Sequence, residues 1–595
     1  MDPKHGQGIM LKNIRSYFYG FKKFQEPLEK YFFPLVLMLY PLIGVTNGID
    51  ITDTTYNLSN YEYMGSLDPM WLLSTFLGNL TGRIIMLLPG ASYLLGFGIY
   101  CSFIISAVAL ISYYNLIKFM PGWMIFIGMF IAESLCWCPR VILYNYLTYL
   151  LMTVGIIFLI KGTFAWRKQE LYLILAGVCL GLNVLVRFPN IVEAAFILIL
   201  WFYCFITRQD IKSLLQKTGL CILGYLVGFG VPFIGISLRY GWNSYFDMLG
   251  SLFGMTEGAK DYSTGGMLSS IIEAYAGTLK NMLYLFPCIA VGAVLFLAYK
   301  DRFVWVKKLL YFMGLLVVVR YYFAAGVFTR NYFYYDSIFK AAMMFIIFDI
   351  IIAFIGSLGL LNGSRQEQTI AFAVLMVIFI TPIGSNNYTY PVLNNLFLVA
   401  PVSLWLFRRL MQRLGEEEYN FAWQAVYTVI VMVLLIQGTF FHINFSFEDG
   451  SNGVKRDALT MQIPKTRAMV TTSENAESLK ELNEGLAANN LGNKKTIFFG
   501  GIPGISYIFD LEPAIDTVWP DLDSYSVEKF DNSLMELSAS GDLLPTVIIG
   551  KNMREYANSA TKYDILMDYI ANHDYNKVFE SEKFIIYVGS IESEE

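Results

Sequence analysis

Thirteen apolar runs, each near the ~20 residues that a helix needs to cross a bilayer, succeed one another along the chain. They fall at 31–49, 91–117, 121–138, 142–160, 170–186, 190–206, 216–238, 281–299, 304–323, 337–361, 369–384, 391–407 and 421–441. The run from Tyr31 to Ile49 is uncharged for 19 residues and has no small-x-small cleavage pattern. It reads as a retained first helix rather than a signal peptide, although Met1–Lys30 carries six Lys/Arg. From Gln368 to Phe407 the chain is uncharged for 40 residues, and Ser385-Asn386-Asn387-Tyr388 with Pro391 breaks it into two spans.

After residue 441 the pattern changes. Thr496–Phe499, Thr546–Ile549 and Phe584–Val588 are short β-rich runs. Between them, apolar residues recur at helical spacing: Leu479, Leu482 and Leu486 in Ser473–Asn490, and Phe530, Leu534 and Leu537 in Val527–Ser538. Ser473 is the expected cap of the first helix and Asn489-Asn490 its stop. The pattern predicts an α-helical polytopic membrane protein of about 13 transmembrane helices with a C-terminal extracytoplasmic α/β domain. The expected division is a basic N-terminus at 1–30, a transmembrane domain at 31–441 with its first external loop at 48–84, and a soluble domain at 442–595.

Composition agrees with this division. Hydrophobic residues make up 56% of the chain and charged residues 15%, with a mean hydropathy of +0.50; an average globular protein carries about 25% charged residues. Residues 1–441 hold 30 Lys/Arg against 22 Asp/Glu, and residues 442–595 hold 13 against 25. Of the 30 basic residues, 21 fall in loops on the side of the N-terminus and nine on the other. The positive-inside rule therefore puts the N-terminus in the cytoplasm, and an odd helix count puts the tail outside a plasma membrane. A soluble part this acidic excludes a nucleic-acid binder. The seven Cys lie in apolar runs and none in the tail, so no disulfide framework holds that domain. Cys136-Trp137-Cys138 lacks further ligands nearby and reads as apolar packing. With three His in all, a site built on several histidines is excluded.

The candidate chemistry lies in the first external loop. Asp50 and Asp53 are spaced i, i+3 where the first helix ends, and a helical turn would point both into one cleft. Behind them Met70–Leu80 is semi-apolar and long enough for a helix lying along the interface. A carboxylate at a membrane–water boundary can act as general base on a hydroxyl acceptor while a lipid donor keeps its tail in the bilayer. Arg83, Arg140, Arg187, Arg239, Arg320 and Arg330 lie on this same side, which is otherwise depleted of positive charge. Guanidinium groups bind phosphate bidentately; snorkelling at helix ends is their ordinary role.

Arg187 ends a Gly-rich helix and Arg330 opens Arg330-Asn331-Tyr332-Phe333-Tyr334-Tyr335-Asp336, which sets these two first among the arginines. Tyr332, Tyr334 and Tyr335 offer faces for sugars, with the aromatic belt of membrane proteins as the alternative, and Ser385–Tyr390 reads the same way. Glu133 and Glu193 near span ends, and Asp349 inside an apolar run, call for an arginine partner or a water-filled cavity. Gly500-Gly501-Ile502-Pro503-Gly504 does not have the G-x-G-x-x-G spacing and is expected to form a tight strand-to-helix turn rather than a phosphate cradle.

Asp53-Thr54-Thr55-Tyr56 resembles the Asp-Glu-x-x-Tyr motif in the first external loop of the GT-C superfamily of polytopic glycosyltransferases, with Thr54 in place of Glu. Leu175–Asn190 is similar to the Gly-rich helix and Arg-x-Pro turn of many of these proteins, which include protein O-mannosyltransferases and the aminoarabinose transferase of lipid A modification. The resemblance implies a bacterial envelope enzyme. Its donor would be a polyprenyl-phosphate sugar reached laterally from the membrane lipid, and the sugar would move with inversion to a hydroxyl of a saccharide, lipid or protein. It makes Asp53 the base, with Asp50 supplying the second acid, and gives Arg187, Arg330, Arg83 and Arg320 the donor phosphate. Tyr56, Tyr332, Tyr334 and Tyr335 would meet sugar or acceptor. No cofactor is required, and a divalent metal is not demanded. Two rivals stand beside this reading. One is a lipid-linked saccharide flippase coupled through Asp349 or Glu193, although neither the internal repeat nor the even helix number common in transporters is visible. The other is a catalytically inactive subunit of envelope polymer assembly.

Overall fold

The computed structural model describes residues 25–589, except 137–138, 166, 259–263, 299–301, 335, 386, 416–417, 419, 451–452, 461, 493, 541–542 and 552–557. The first apolar run is a composite helix: a π turn at Leu28–Phe32, α1 at Phe33–Leu39 and a 3-10 turn at Tyr40–Leu42. The loop after it folds into α2 (Asp53–Glu62), α3 (Pro69–Ser74) and α4 (Phe76–Met86). Met70–Leu80, expected as one helix, is two, because the backbone departs from helical geometry at Thr75 (φ −128°, ψ 37°). Asp68 starts α3 by accepting from Met70 N at 2.7 Å, just ahead of Pro69 at the first helical position.

The bundle continues with α5 (Leu94–Leu116), α6 (Gly122–Leu135), α7 (Leu143–Phe164), α8 (Gln169–Val186), a 3-10 segment (Phe188–Phe196) and α9 (Ile197–Ile206). Then come α10 (Ile211–Tyr240), α11 (Ser244–Gly258), α12 (Thr264–Met282), α13 (Leu285–Leu297), α14 (Val304–Ala324), α15 (Phe339–Ser357) and α16 (Arg365–Ile380). It ends with α17 (Tyr390–Asn394), α18 (Val399–Leu414) and α19 (Asn420–Asn444). Every expected span meets a helix, but the count of thirteen crossings does not carry over. Among the described residues, eight helices are long and apolar enough to cross a membrane. The difference has physical causes. α6 has 14 residues and α16 has 16, and the span expected from 391 holds the short α17 before α18 begins at Val399. A hydropathy window sees apolar content, whereas crossing also needs unbroken helical length.

α8 and α10 pack backbone against backbone. A Cβ on Gly177, Gly181, Gly224 or Gly228 would lie 2.0–2.2 Å from the carbonyl oxygen of Cys221, Tyr225, Ile174 or Val178 respectively. Each helix thus presents a small-xxx-small pair to the other, and the glycines let the axes approach to dispersion contact where lipid gives no hydrophobic drive.

The C-terminal part has a hairpin, β1 (Ala458–Thr460) with β2 (Met469–Thr471), then α20 (Ser473–Ala488), β3 (Thr496–Phe499), α21 (Ile505–Phe509) and α22 (Val527–Ala539). β4 (Thr546–Gly550), α23 (Ser559–Asn572), β5 (Tyr575–Glu580) and β6 (Phe584–Gly589) complete it. The sheet order is β3-β4-β6-β5, with β3 and β4 parallel and the other pairs antiparallel. All three expected strands and both helices are present. The cap of α20 is Thr472, one residue before the expected Ser473, its side chain accepting from Asn475 N at 3.3 Å.

The period of two in a strand splits the sheet between two cores. Ile497, Phe499, Val547 and Ile549 join Phe530, Leu534, Leu566 and Ile570 in a cluster made by the tail alone. Phe498, Ile548 and Ile586 face the other way. They join Ile49, Leu58 and Tyr61 of the acidic loop, Leu94 and Phe97 of α5, and Leu482 and Tyr507 in one shared cluster. The tail is therefore packed onto the end of the bundle where the first helix ends.

Candidate active site

The chain leaves the first helix through Ile43–Ile49 and is caught at once by the tail. Val470 N donates to Thr46 O at 2.8 Å and Gly48 N donates to Val470 O at 2.7 Å, a one-residue bridge to β2. Asp50 follows, 2% exposed. Its Oδ1 accepts from Thr52 N at 2.7 Å and Thr52 Oγ1 at 2.5 Å, and its Oδ2 accepts from Thr54 N at 2.7 Å. The stretch from 50 to 53 is therefore not the helical turn expected from the i, i+3 spacing; α2 begins at Asp53. The cause is local competition. Thr52, at the cap position of α2, makes no side-chain cap, and the Asp50 carboxylate reaches forward to the orphan amides instead.

Burial, and then the neighbouring Asp53 carboxylate, push the Asp50 carboxyl up to about 7, against the hydrogen bonds from Thr52 and Thr54 that pull it down. Asp53 is half-buried in the first turn of α2, and Tyr56 follows it one turn on. Tyr56 meets Trp519 edge-on at 5.3 Å and Trp71 at 6.4 Å between ring centroids.

Asp50 and Thr54 line a cavity of about 90 Å³. Arg140 and Val141 from the turn before α7, Leu94 and Gly98 of α5, and His442 and Ser446 at the end of α19 share that lining. Arg140 donates from Nη2 to Ile43 O at 2.8 Å and from Nη1 to Gly44 O at 3.0 Å, holding the carbonyl end of the first helix. His442 stacks on Tyr40 at 4.5 Å, with Nε2 3.2 Å from the Tyr40 carbonyl oxygen. One acid, Asp50, one arginine and one imidazole thus line the cavity where the first helix, α2, α7 and α19 converge, and Asp53 follows Asp50 at the start of α2.

The other expected residues lie elsewhere. Arg187 donates from Nη2 to Gly384 O at 2.5 Å at the end of α8. Arg83 donates from Nη1 to Glu62 O at 2.5 Å, at the end of α2. Arg330 is exposed, its guanidinium 5.4 Å from the Phe323 ring, and Arg320 and Arg239 are exposed on α14 and α10. Tyr332 stacks on Phe440 at 5.5 Å, and Tyr334 is 39% exposed. Tyr335 and Cys138 lie outside the described residues. Glu193 is buried and accepts from Asn183 Nδ2 at 2.7 Å, while Glu133 and Asp349 are buried within α6 and α15.

The glycine turn after β3 packs on the acidic loop. Gly504 N donates to Ile51 O at 2.9 Å, and a Cβ on Gly504 would fall 1.6 Å from Thr55 Oγ1. Gly500 and Gly501 both have positive φ (92° and 74°), and Asp521 Oδ2 accepts from Gly501 N at 2.8 Å. The tight turn is thus the observed form, and its amides are engaged by protein. Lys465 pairs with Glu62 at 2.6 Å, and Asp68 N donates to Asp516 O at 2.8 Å, closing the far end of the loop onto the tail. Sequence reasoning missed His442, Asp449 and Asn475, and placed Gly504 in its turn without its contact to the acidic loop; these roles come from contacts across most of the chain. Among the described residues no group of three or more His, Cys, Asp or Glu side chains is gathered to hold a metal ion.

No family model matches the chain, and no curated protein does. Among solved structures the chain is similar to ArnT from Cupriavidus metallidurans bound to undecaprenyl phosphate, with a TM-score of 0.47 and 10% identity over 94% of this chain and 97% of that one. It is also similar to the apo oligosaccharyltransferase of Archaeoglobus fulgidus, with a TM-score of 0.45 and 12% identity over 95% of this chain and 76% of that one. For the oligosaccharyltransferase AglB of the same organism, in complex with an inhibitory peptide and a dolichol-phosphate, the TM-score is 0.43 and the identity 13%, over 95% and 75%.

Proposed function

We propose that this chain is a membrane glycosyltransferase. It moves a sugar from a polyprenyl-phosphate donor to a hydroxyl acceptor at the outer face of a plasma membrane, with inversion at the anomeric carbon. One observation carries the reading: the buried Asp50 carboxyl lines a small cavity that Arg140 also lines, at the end of a membrane bundle, with Asp53 three residues on in the first turn of α2. In this scheme Asp53 takes the proton of the acceptor hydroxyl. The acceptor oxygen bonds to the anomeric carbon as the bond from that carbon to the phosphate oxygen breaks, and the electron pair leaves on the polyprenyl phosphate. The added negative charge falls to a guanidinium, for which Arg140 is the arginine that lines the same cavity as Asp50.

The division of labour between the acids follows from their surroundings. Burial first, and then the Asp53 carboxylate, make Asp50 hold its proton more tightly than a free aspartate does; the scheme gives the role of base to Asp53. Arg187, Arg330, Arg83 and Arg320 do not line the cavity and take no step in the scheme.

Purified protein in proteoliposomes, given a panel of polyprenyl-phosphate sugars and a crude wall acceptor, is expected to release free polyprenyl phosphate, followed by mass spectrometry. Asp53→Asn is expected to lower that release by ~10²–10⁴-fold, the range for loss of a general base. Full activity in Asp53→Asn would overturn the assignment. Donor binding without release in the wild type would point to the flippase or the inactive subunit instead.

A further inference from the structure

The peptide of Ile49, immediately before Asp50, belongs to neither helix nor strand, yet both of its polar groups are held. Ile49 N donates to Asp449 Oδ1 at 3.1 Å, across 400 residues of sequence. Asn475 Nδ2 donates to Ile49 O at 2.9 Å, across 426. Asn475 Nδ2 also donates to Asp449 Oδ1 at 2.9 Å, and Thr471 Oγ1 donates to the same oxygen. Behind Asp449 stands Arg456, whose Nε donates to Asp449 Oδ2 at 2.7 Å. Its Nη1 and Nη2 donate to Asn444 O at 3.2 Å and Ser446 O at 3.0 Å. These carbonyls close α19, where His442 and Ser446 line the cavity. One buried network therefore joins the two walls of the cavity, the Ile49–Asp50 segment and the end of α19.

The Asp449 and Arg456 side chains are 0% and 8% exposed. A buried ion pair of this kind adds little net stability, because desolvation offsets most of its attraction; its best-supported use is to specify one arrangement over others. What it specifies here is the place of one residue's backbone, the peptide units on either side of the Ile49 Cα. The remaining polar groups nearby are held as well: Thr55 Oγ1 donates to Asp50 O at 2.6 Å and Gly504 N to Ile51 O at 2.9 Å. The loop cannot shift without breaking bonds to the tail.

We infer that Asp449 and Asn475, backed by Arg456, are positioning residues for the acidic pair: they fix the Ile49 backbone and so set where Asp50 stands against the cavity and where Asp53 opens α2. The inference rests on the transfer reading above. The tail is then part of the catalytic apparatus without touching the reacting atoms, because it supplies the side chains that place the base. Misplacement of a reacting group by about 1 Å can lower turnover by ~10²-fold.

The test compares Asn475→Leu, which removes the donor to Ile49 O and one of the donors to Asp449, with Thr471→Val, which loses bonds to the same carboxylate and to Asn475 Nδ2 but leaves both hydrogen bonds of the Ile49 backbone in place. Steady-state transfer in proteoliposomes and amide exchange by mass spectrometry are measured on the full chain. Asn475→Leu is expected to lower kcat by ~10²-fold with KM for the donor within about twofold, and to speed exchange in peptides covering 46–55 but not elsewhere. Thr471→Val is expected to stay within about threefold of wild type in kcat. Unchanged exchange over 46–55 in Asn475→Leu would overturn the inference, as would faster exchange with unchanged kcat. Faster exchange throughout the chain, or an equal loss in Thr471→Val, would reduce the network to a structural role. Absence of transfer in the wild type would remove the transfer reading alone, and exchange over 46–55 would then decide whether the network holds the loop.

Discussion

The loop around Asp50 and the loop around Arg330 share a vocabulary of acids, an arginine and tyrosines, and they end in opposite situations. The first has Asp50 2% exposed, its backbone bonded to the tail at Thr46, Gly48, Ile49 and Ile51, and its carboxylate folded onto local amides. The second leaves Arg330 exposed over a phenylalanine and Tyr334 39% exposed, while Tyr332 lies flat against Phe440. Residue type alone does not separate them. The difference lies in how each loop is held: the first is bonded through its backbone to the tail, whereas the second touches the tail through its rings, Phe333 under Arg456 and Tyr334 against Gly453. Enclosure removes water and strengthens every electrostatic interaction inside, which is the condition under which a base and a guanidinium matter to a reaction.

The contrast can be broken most directly by comparing Asp53→Asn, expected to lose ~10²–10⁴-fold in transfer, with Arg330→Ala, expected to stay within about threefold as an exposed surface change would. Equal losses would show that the aromatic loop belongs to the site after all. Next in size is Arg140→Met, expected to lower kcat by ~10²-fold as the charge on the departing phosphate loses its partner. Arg140→Lys should recover part of that loss, since an ammonium keeps the charge but not the planar fork. A fall in donor affinity with kcat intact would instead make Arg140 a ground-state contact.

A smaller effect concerns pH. An unperturbed Asp ionises near about 4, whereas Asp50 in the folded protein does so at about 7. Between these values the folded state holds a proton that the unfolded state has released, so stability from this residue falls as pH rises from about 4 to about 7 and then levels off. Thermal unfolding in detergent should show that slope in the wild type and lose it in Asp50→Asn. An unchanged slope would mean that another group titrates there. The smallest effect is Tyr332→Phe, expected to alter transfer by less than about twofold, because its ring contact with Phe440 survives the change.

How much was legible in the sequence depended on how far each signal reached. Membrane helices are legible because a bilayer demands long apolar runs, yet the break from Asn395 to Leu398 cuts one of them short in a way that hydropathy does not weigh. The apolar strands at Thr496, Thr546 and Phe584 stand out, whereas β5, Tyr-Asn-Lys-Val-Phe-Glu, is a largely exposed edge strand with no clean alternation and escaped notice. Thr472 took the capping role expected of Ser473 because the two hydroxyls are chemically alike and one residue apart. At the site, Asp50 and Asp53 were legible through their spacing and position, and Arg140 only as one of six arginines. Asp449 and Asn475 carried no local mark: their meaning lies in Ile49, 400 and 426 residues away.

The two-sided sheet has a consequence for how this chain can change over generations. Alternate letters of β3 and β4 address different listeners, Phe498 and Ile548 the bundle, Ile497 and Val547 the helices on the far side. Exchanging one apolar letter for another leaves both messages readable. Inserting or deleting a single residue shifts the frame and delivers every letter to the wrong recipient. Descendants of this sequence can therefore drift freely in spelling over these strands while being held strictly to their length.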